Sequence, residues 1–522
     1  MKYHKKRIVW VFLGIALLCF GLLFLLQWRM ERMATHFLAR KLPRHLQLNY
    51  KELDVHLLTA SLSLDRLSLD FFDRESLAYR GTLIMDQFTL KGFHYWQYFV
   101  NDDISWDEIS LHNPDLVIVS RAQERKNPSE GLPGDSFEKS ISIGRIRVTN
   151  GKFTMLKHGS NQPQLRAENV TLEVGGIRID SATLENPIPL AYKNLSLSLK
   201  NFYTSLGTFE EMTIAGLNLE KQVLEAHHIK LYTKYGKREL SRKIDMERDH
   251  ISLAIPELKV HRPTLDTRDA NWSVAVDSIS LQHPSLDIYR DKLVADDTVR
   301  KKMYSQMIRN LPFRLTVPLV RIQGGHVGYE EKVDAEAKAG RVTMDSLQAE
   351  LRRVSNTYVA PRETEVHARA LFMGSAPVSL DWRFDVNNPN DFFTVSGSFT
   401  NFEASSANRY LEANMNVRIS GVVDRLYFTA SGDADETEGD LQIKYRDFNF
   451  QILKENGSGF NKLLTALASL LVKQNKNQDS ASFRYGHIKT ARDHTKSFFN
   501  YLWLIVRSGI RDALTGDGKK HE

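Results

Sequence analysis

One spacing recurs through this chain and constrains its fold more than any other feature: apolar residues at relative positions 0, 2, 5 and 7. Five copies extend it with Pro or Gly at 10 and apolar residues beyond. They are Ile104, Trp106, Ile109, Leu111, Pro114, Leu116, Ile118; Ile141, Ile143, Ile146, Val148, Gly151, Phe153, Met155; Leu253, Ile255, Leu258, Val260, Pro263, Leu265; Val274, Val276, Ile279, Leu281, Pro284, Leu286, Ile288; and Leu315, Val317, Val320, Ile322, Gly325, Val327, Tyr329. The first four positions recur at Leu62, Leu64, Leu67, Leu69; at Leu83, Met85, Phe88, Leu90; at Leu165, Ala167, Val170, Leu172; at Met212, Ile214, Leu217, Leu219; and at Val342, Met344, Leu347, Ala349.

Steps of two are strand steps, because successive side chains point to opposite faces of a sheet. The step of three between positions 2 and 5 would flip the phase of a regular strand. A β-bulge restores it, since one extra residue lets all four positions share a face. A two-residue reversal at that step is the competing geometry, and the spacing leaves both open. Past position 7, Asn150-Gly151 reads as a type I′ hairpin turn. Asn113-Pro114, Arg262-Pro263 and His283-Pro284 need other bends, because proline holds φ negative.

Each copy is polar at alternate positions, so each strand has one apolar face to cover. Helices able to cover it are scarce between residues 45 and 450, where Lys292 to Arg309 is the best helical candidate. A long antiparallel sheet of this kind must curl on itself or enclose something that is not protein. From about Ala370 to Phe450 the alternation continues without the bulge, and Asp433 to Asp440 reads as a solvated turn.

The period then changes to 3.6. Phe460, Leu463, Leu464, Leu467, Leu470 and Leu471 make one helical face. A second helix, from about Arg492 to Leu514, gathers Phe498, Phe499, Leu502, Trp503, Ile505 and Val506 on a wide apolar face. It is too short to cross a bilayer, so it either caps the sheet or lies on a membrane surface or a partner.

At the other end Ile8–Leu26 is an apolar run with no charged residue, long enough to span a hydrocarbon core of about 30 Å. The flank after it lacks a small-x-small cleavage site, which favours an uncleaved signal anchor. Charge supports this. The chain carries 70 Lys and Arg against 63 Asp and Glu, a net of +7. Lys2, Lys5, Lys6 and Arg7 supply four of those charges ahead of the run, which places the N-terminus in the cytoplasm. The body carries no excess positive charge, which argues against nucleic acid as a partner.

The inventory for chemistry is thin. The single cysteine, Cys19, removes intramolecular disulfides and cysteine-based zinc sites. No HExxH, GxSxG, Walker A or GxGxxG motif occurs. The adjacent pair His227-His228 would point to opposite faces of a strand and reads as a polar edge. An enzyme is not expected, and no cofactor or metal is implied.

A basic N-terminus, one signal anchor, and then apolar-x-apolar pairs leading to Asn-Pro, Asn-Gly or His-Pro resemble the AsmA-like proteins of Gram-negative envelopes. More widely they resemble the repeating β-groove lipid-transfer proteins. The resemblance is densest over Leu83 to Arg121 and covers the anchor and roughly residues 45 to 350. It implies a protein fixed to the inner membrane by a single pass, with its bulk in the periplasm, whose apolar groove carries lipid tails for outer-membrane homeostasis. The expected partners are membrane lipids, the inner membrane, and envelope proteins through the C-terminal helices. The other reading is a non-enzymatic envelope scaffold or assembly factor. The expected organisation is a basic tail at 1–7, the anchor at 8–26, the repetitive β-groove at 45–350, further strands at 351–455, and amphipathic helices with a basic tail at 456–522. The expected lipid-contacting positions are the first four of the copies that begin at Leu83, Ile104, Ile141, Leu253, Val274 and Leu315.

Overall fold

The computed structural model describes residues 29, 32, 43–73, 76–101, 103–120, 140–184, 186, 188–266, 272–359, 362–453, 483–516 and 518–519. The Ile8–Leu26 run, the helix expected over Phe460 to Leu471 and the basic N-terminal tail lie outside these residues. No helix among the described residues is long and apolar enough to cross a membrane. The protein is mainly β, and it divides into two compact units.

In the first unit, β1 (Leu46–Asn49) and β2 (Glu52–His56) both pair antiparallel with β3 (Ser61–Phe72), which pairs with β4 (Tyr79–Phe93). A short helix α1 (Tyr95–Asn101) follows. Next, β5 (Ile104–His112) and β6 (Asp115–Val119) lie end to end along β4, antiparallel to it. On their other side both run parallel to β7 (Ile141–Leu156). β7 pairs antiparallel with β8 (Pro163–Ile179), and β8 with β9 (Asn194–Leu206). A short turn of helix, α2 (Ser181–Leu184), lies between the last two. β10 (Glu210–Glu220) contributes residues to both units.

The second unit repeats this plan. β11 (Val223–Thr233) is followed by helix α3 (Lys237–Lys243) and then by β12 (His250–His261), to which it pairs antiparallel. β13 (Thr264–Asp266) pairs with β14 (Ser273–Ala275). β15 (Ser278–Gln282) and β16 (Ser285–Asp291) lie end to end, antiparallel to β12. With β14, they run parallel to β17 (Arg314–Lys332). The connection from β16 to β17 carries α4 (Tyr304–Arg309). From β17 the sheet continues antiparallel through β18 (Gly340–Ser355), β19 (Thr364–Phe372), β20 (Ala376–Phe384), β21 (Phe393–Glu403), β22 (Val417–Gly432), β23 (Glu436–Ile452) and β24 (Arg484–Ala491). Helix α5 (Asn408–Met415) sits between β21 and β22, and α6 (Phe498–Thr515) closes the described chain.

Several expectations change here. The sheet is mixed rather than antiparallel, because the parallel neighbours are joined by long connections that return the chain to its starting side. Asn150-Gly151 is not a hairpin turn, since both residues lie inside β7. Between Lys292 and Arg309 only α4 is helical.

The reason Asn150-Gly151 is no turn is visible in the backbone. In all five long copies the residue at position 9 takes a left-handed conformation: Asn113 at φ +51°, Asn150 at +54°, Arg262 at +46°, His283 at +48° and Gly324 at +67°. One left-handed residue makes a bulge and the strand continues in the same direction, whereas a type I′ turn needs two. In the short copies, Arg66, Asn169 and Ser346 at position 4 do the same at φ of +49°, +50° and +53°. The residue at position 10 completes the device. Pro114 lies opposite Gly151 and Pro284 opposite Gly325, where an added Cβ would stand 3.3 and 3.4 Å from the proline ring. Side chains lock the seam: Asn150 Nδ2 donates to Asn113 Oδ1 at 2.8 Å, and Asn113 Nδ2 to Asp86 Oδ2 at 2.6 Å. The region after Ala370 has bulges too. Asn401 and Asp447 are left-handed, and the β22–β23 register shifts twice.

Candidate functional site

Because paired strands take their steps of three at matching places, as Leu64 and Leu67 do opposite Phe88 and Met85, the apolar positions line up across strands. In the first unit one row runs Leu62, Leu90, Ile109, Ile146, Val174, Leu195 and the next runs Leu64, Phe88, Leu111, Val148, Leu172, Leu197. A further row joins Phe93, Trp106, Ile143 and Ile177. Beyond the second bulge Leu69, Leu83, Leu116, Phe153 and Ala167 make another. Adjacent residues of one row sit about 5 Å apart, close enough for apolar side chains to touch.

The second unit has the same rows. Leu224, Val260, Ile279, Val320, Leu351 and Val366 form one, with Ala226, Leu258, Leu281, Ile322, Ala349 and Ala368 beside it. Leu253 pairs with Leu231 and Leu286, Ile255 with Ile229, and Val274 with Leu315.

Lateral contact does not bury these positions fully. Of the twenty-four expected lipid-contacting residues, Met85, Ile143, Ile255, Val260, Val276 and Val317 are buried and the other eighteen are half-buried. All but Val260 of the buried six occupy position 2, beside the first step of three.

The alternate positions carry charge. Glu173 accepts from Arg145 at 3.2 Å and Arg147 at 3.4 Å, Lys259 lies between Glu225 and Glu257, and Glu350 lies between Arg321 and Arg352. A hydrogen bond from the Ser110 hydroxyl, with Arg147, Lys91 and Arg145 nearby, holds the Glu108 carboxyl below its ordinary range against the opposing effect of burial. Arg352 and Arg321 do the same for Glu350. Exposed pairs of this kind stabilise little, but they keep this face wet.

The C-terminal stretch of the second unit is sealed. The row Leu351, Val366 continues through Trp382, Val395 and Ala430, all buried, and here α6 lies over it. Trp382 stacks on Phe498 with ring centroids 4.3 Å apart, Phe393 meets Tyr501 at 5.9 Å, and Tyr304 from α4 packs on Trp382 at 5.7 Å. Gly486 and Gly509 let helix and strand backbones meet, since a Cβ on Gly486 would stand 2.2 Å from the Gly509 oxygen. The edge of β24 is occupied as well. Its outward amides at Tyr485, His487 and Lys489 donate to the Gly518 carbonyl, Asp512 Oδ2 and Ser508 Oγ.

This arrangement divides the residues expected at a membrane surface. Phe498 and Ile505 are buried against the sheet and are not free to meet lipid, Leu502 and Val506 pack partly on the same core, and Phe499 and Trp503 remain 60% and 43% exposed. α6 therefore caps the sheet.

Two shallow concavities, of about 280 and 530 Å³, are lined by Arg353, Tyr358 and Glu365 and by Asn356, Val359 and Pro389. Among the described residues no group of His, Cys, Asp and Glu could hold a metal ion. His227 and His228 lie in β11, where His228 takes a left-handed backbone at φ +53°. The residues that sequence reasoning passed over are Tyr95 and Tyr98, whose only signal is the aromatic density of Tyr95-Trp96-Gln97-Tyr98. No protein-family model matches this chain, and no curated protein matches it.

Proposed function

We propose that this chain is a non-enzymatic lipid-handling protein that resembles the AsmA-like proteins. In this reading it is fixed to the inner membrane by Ile8–Leu26, with its bulk in the periplasm, and shelters acyl tails on the apolar rows while headgroups stay in water. One observation carries it: in the second unit the apolar face is covered by the chain's own helix at its C-terminal end, while across the repeats of each unit most of the apolar positions are left half-exposed.

The magnitudes are suitable. Each methylene removed from water contributes about 0.8 kcal/mol. Five strand-to-strand steps across β3–β9, at about 4.8 Å each, give a row of about 24 Å. That exceeds the roughly 15 Å that one leaflet's tails occupy in a bilayer core. No directed chemistry is needed for this role. The scaffold reading draws instead on Phe499 and Trp503, which α6 presents outward.

The test is the lipid content of the purified full chain. Mild detergent extraction followed by mass spectrometry should recover co-purifying phospholipid, and Ile109→Asp with Leu281→Asp should lose most of it while the chain stays folded. A wild-type chain that carries no phospholipid would overturn the reading, and so would a double variant that carries as much as wild type.

A further inference from the structure

The first unit leaves an uncharged aromatic surface at one end of its strands. Helix α1 has the sequence Tyr-Trp-Gln-Tyr-Phe-Val-Asn. Trp96 is 78% exposed, and Tyr95, Tyr98 and Val100 are exposed as well. This patch is joined to the apolar rows. The Phe93 ring lies 5.2 Å from Tyr95, 5.8 Å from Tyr98 and 5.6 Å from Trp106, and Trp106 continues into Ile143. Charge borders α1 without entering it: His94 precedes the helix and pairs with Asp107 at 2.8 Å, and Asp102 and Asp103 follow it, with Asp103 accepting from the Ser140 hydroxyl.

Position narrows what this surface can meet. The described chain joins the sheet at the opposite end of β3 and β4, where the Phe72 amide donates to the His45 carbonyl at 2.9 Å and Phe72 pairs with Tyr79. β4 runs from there to Phe93, about 45 Å at 3.3 Å per residue. α1 therefore lies a strand length away from the place where the described chain enters the sheet at His45.

We propose that α1 is a membrane-contact element, whose indole and phenol rings sit at the headgroup level of a bilayer facing the anchoring one. The apolar rows would open there, so that tails pass between that bilayer and the row through Phe93 and Trp106. The inference rests on the lipid-handling reading above and gives it a direction. Trp and Tyr suit such a place because each has an apolar body and a polar tip. An uncharged helix continuous with a lipid-bearing face matches an interface better than it matches the polar rim of a protein partner.

The experiment uses the full chain reconstituted in nanodiscs and mixed with protein-free vesicles of phosphatidylethanolamine and phosphatidylglycerol. Co-flotation reads tethering, and phospholipid extracted from the detergent-purified chain reads lipid carriage. Wild type should tether vesicles. Trp96→Ser with Tyr98→Ser should weaken tethering about tenfold, a change of about 1.4 kcal/mol, with carriage unchanged. Trp96→Tyr, which keeps an interfacial ring at an exposed position, should retain tethering and controls for folding. Carriage without tethering by wild type overturns the role of α1 alone. Tethering that depends on Trp96 without carriage overturns the lipid-handling reading and leaves α1 as a membrane contact. Equal tethering by wild type and the double variant, or tethering lost by Trp96→Tyr as fully as by the double variant, overturns the inference.

Discussion

The row of side chains that passes through Val260, Ile279 and Val320 also passes through Trp382, Val395 and Ala430, and its two halves live in different surroundings. In the C-terminal half α4 and α6 cover the row, and α6 side chains occupy the edge of β24 as well. In the repeat half the apolar residues of this row pack mainly on strand neighbours within and between rows, as Val260, Val276 and Val317 do with Leu258, Ile279 and Leu315. Backbone construction is common to both halves, with left-handed residues and bulges in each. What differs is the cover. A sheet with one wet face must place something over the other, and only one half of this row has that supplied by the chain's described residues.

The largest expected effect breaks or sustains that contrast directly. Ile505 on α6 is fully buried, and Ile505→Ala should cost about 2–5 kcal/mol through lost burial plus a cavity. Ile279 is half-buried in the open half. Ile279→Ala should cost about 1 kcal/mol, because half of an Ile side chain's transfer energy is at stake and no closed cavity forms. Urea unfolding of the full chain measures both. Equal costs would mean that the open half is as tightly enclosed as the capped half.

How much of this was legible in the sequence follows from what periodicity encodes. Spacing reports which face a side chain takes, and Leu90, Ile109 and Ile146 do fall opposite one another as the 0, 2, 5, 7 pattern requires. It does not report the direction of the neighbouring strand, which is why the parallel pairing of β5 with β7 could not be read. Asn150-Gly151 was misread because Asn and Gly are permitted wherever φ is positive, and a single left-handed residue in a bulge draws on the same residue types as a turn. The 3.6 period located α6, but composition could not separate Phe498 and Ile505, turned to the sheet, from Phe499 and Trp503, turned outward. α1 spans Tyr95 to Asn101, less than two helical turns of about 3.6 residues each, too short for a period to be seen.

A second test concerns how the cover is fastened. Glu247 is buried and meets Lys292 at 2.6 Å and Lys496 at 2.8 Å, and both lysines also reach Asp296. Lys496 lies just ahead of α6, so this cluster ties the helix to the β16–β17 connection. Burial pushes the Glu247 carboxyl up, but hydrogen bonds and charge from Lys292 and Lys496 outweigh it and hold it below its ordinary value. Glu247→Gln should cost about 1.5–3 kcal/mol at pH 7, the usual range for hydrogen bonds to a charged group. The sign with pH follows from the lowered value. The stabilisation is complete above the unfolded carboxyl pKa of about 4.3 and is lost as pH falls through the folded one. The gap in Tm between wild type and variant should therefore be widest near neutral pH and narrow below about pH 4. A gap that stays constant to pH 3 would remove Glu247 from the fastening.

The smallest expected effect bears on what the two halves share. Asn150 holds a left-handed backbone in the open half and Asp447 holds one in the capped half, at φ +54° and +51°. For an L-residue without a short polar side chain this region costs about 1–2 kcal/mol, while glycine enters it freely. Asn150→Ala and Asp447→Ala should each lose about 1–2 kcal/mol, and Asn150→Gly and Asp447→Gly should recover most of it. At Asn150 a remainder should persist in the glycine variant, because the hydrogen bond to Asn113 Oδ1 goes with the side chain. Chemical denaturation of the four variants measures the difference. If alanine were tolerated at Asn150 but not at Asp447, the bulge would matter only where a helix presses on the sheet, and the repeat's step of three would need a cause other than a locked left-handed seam.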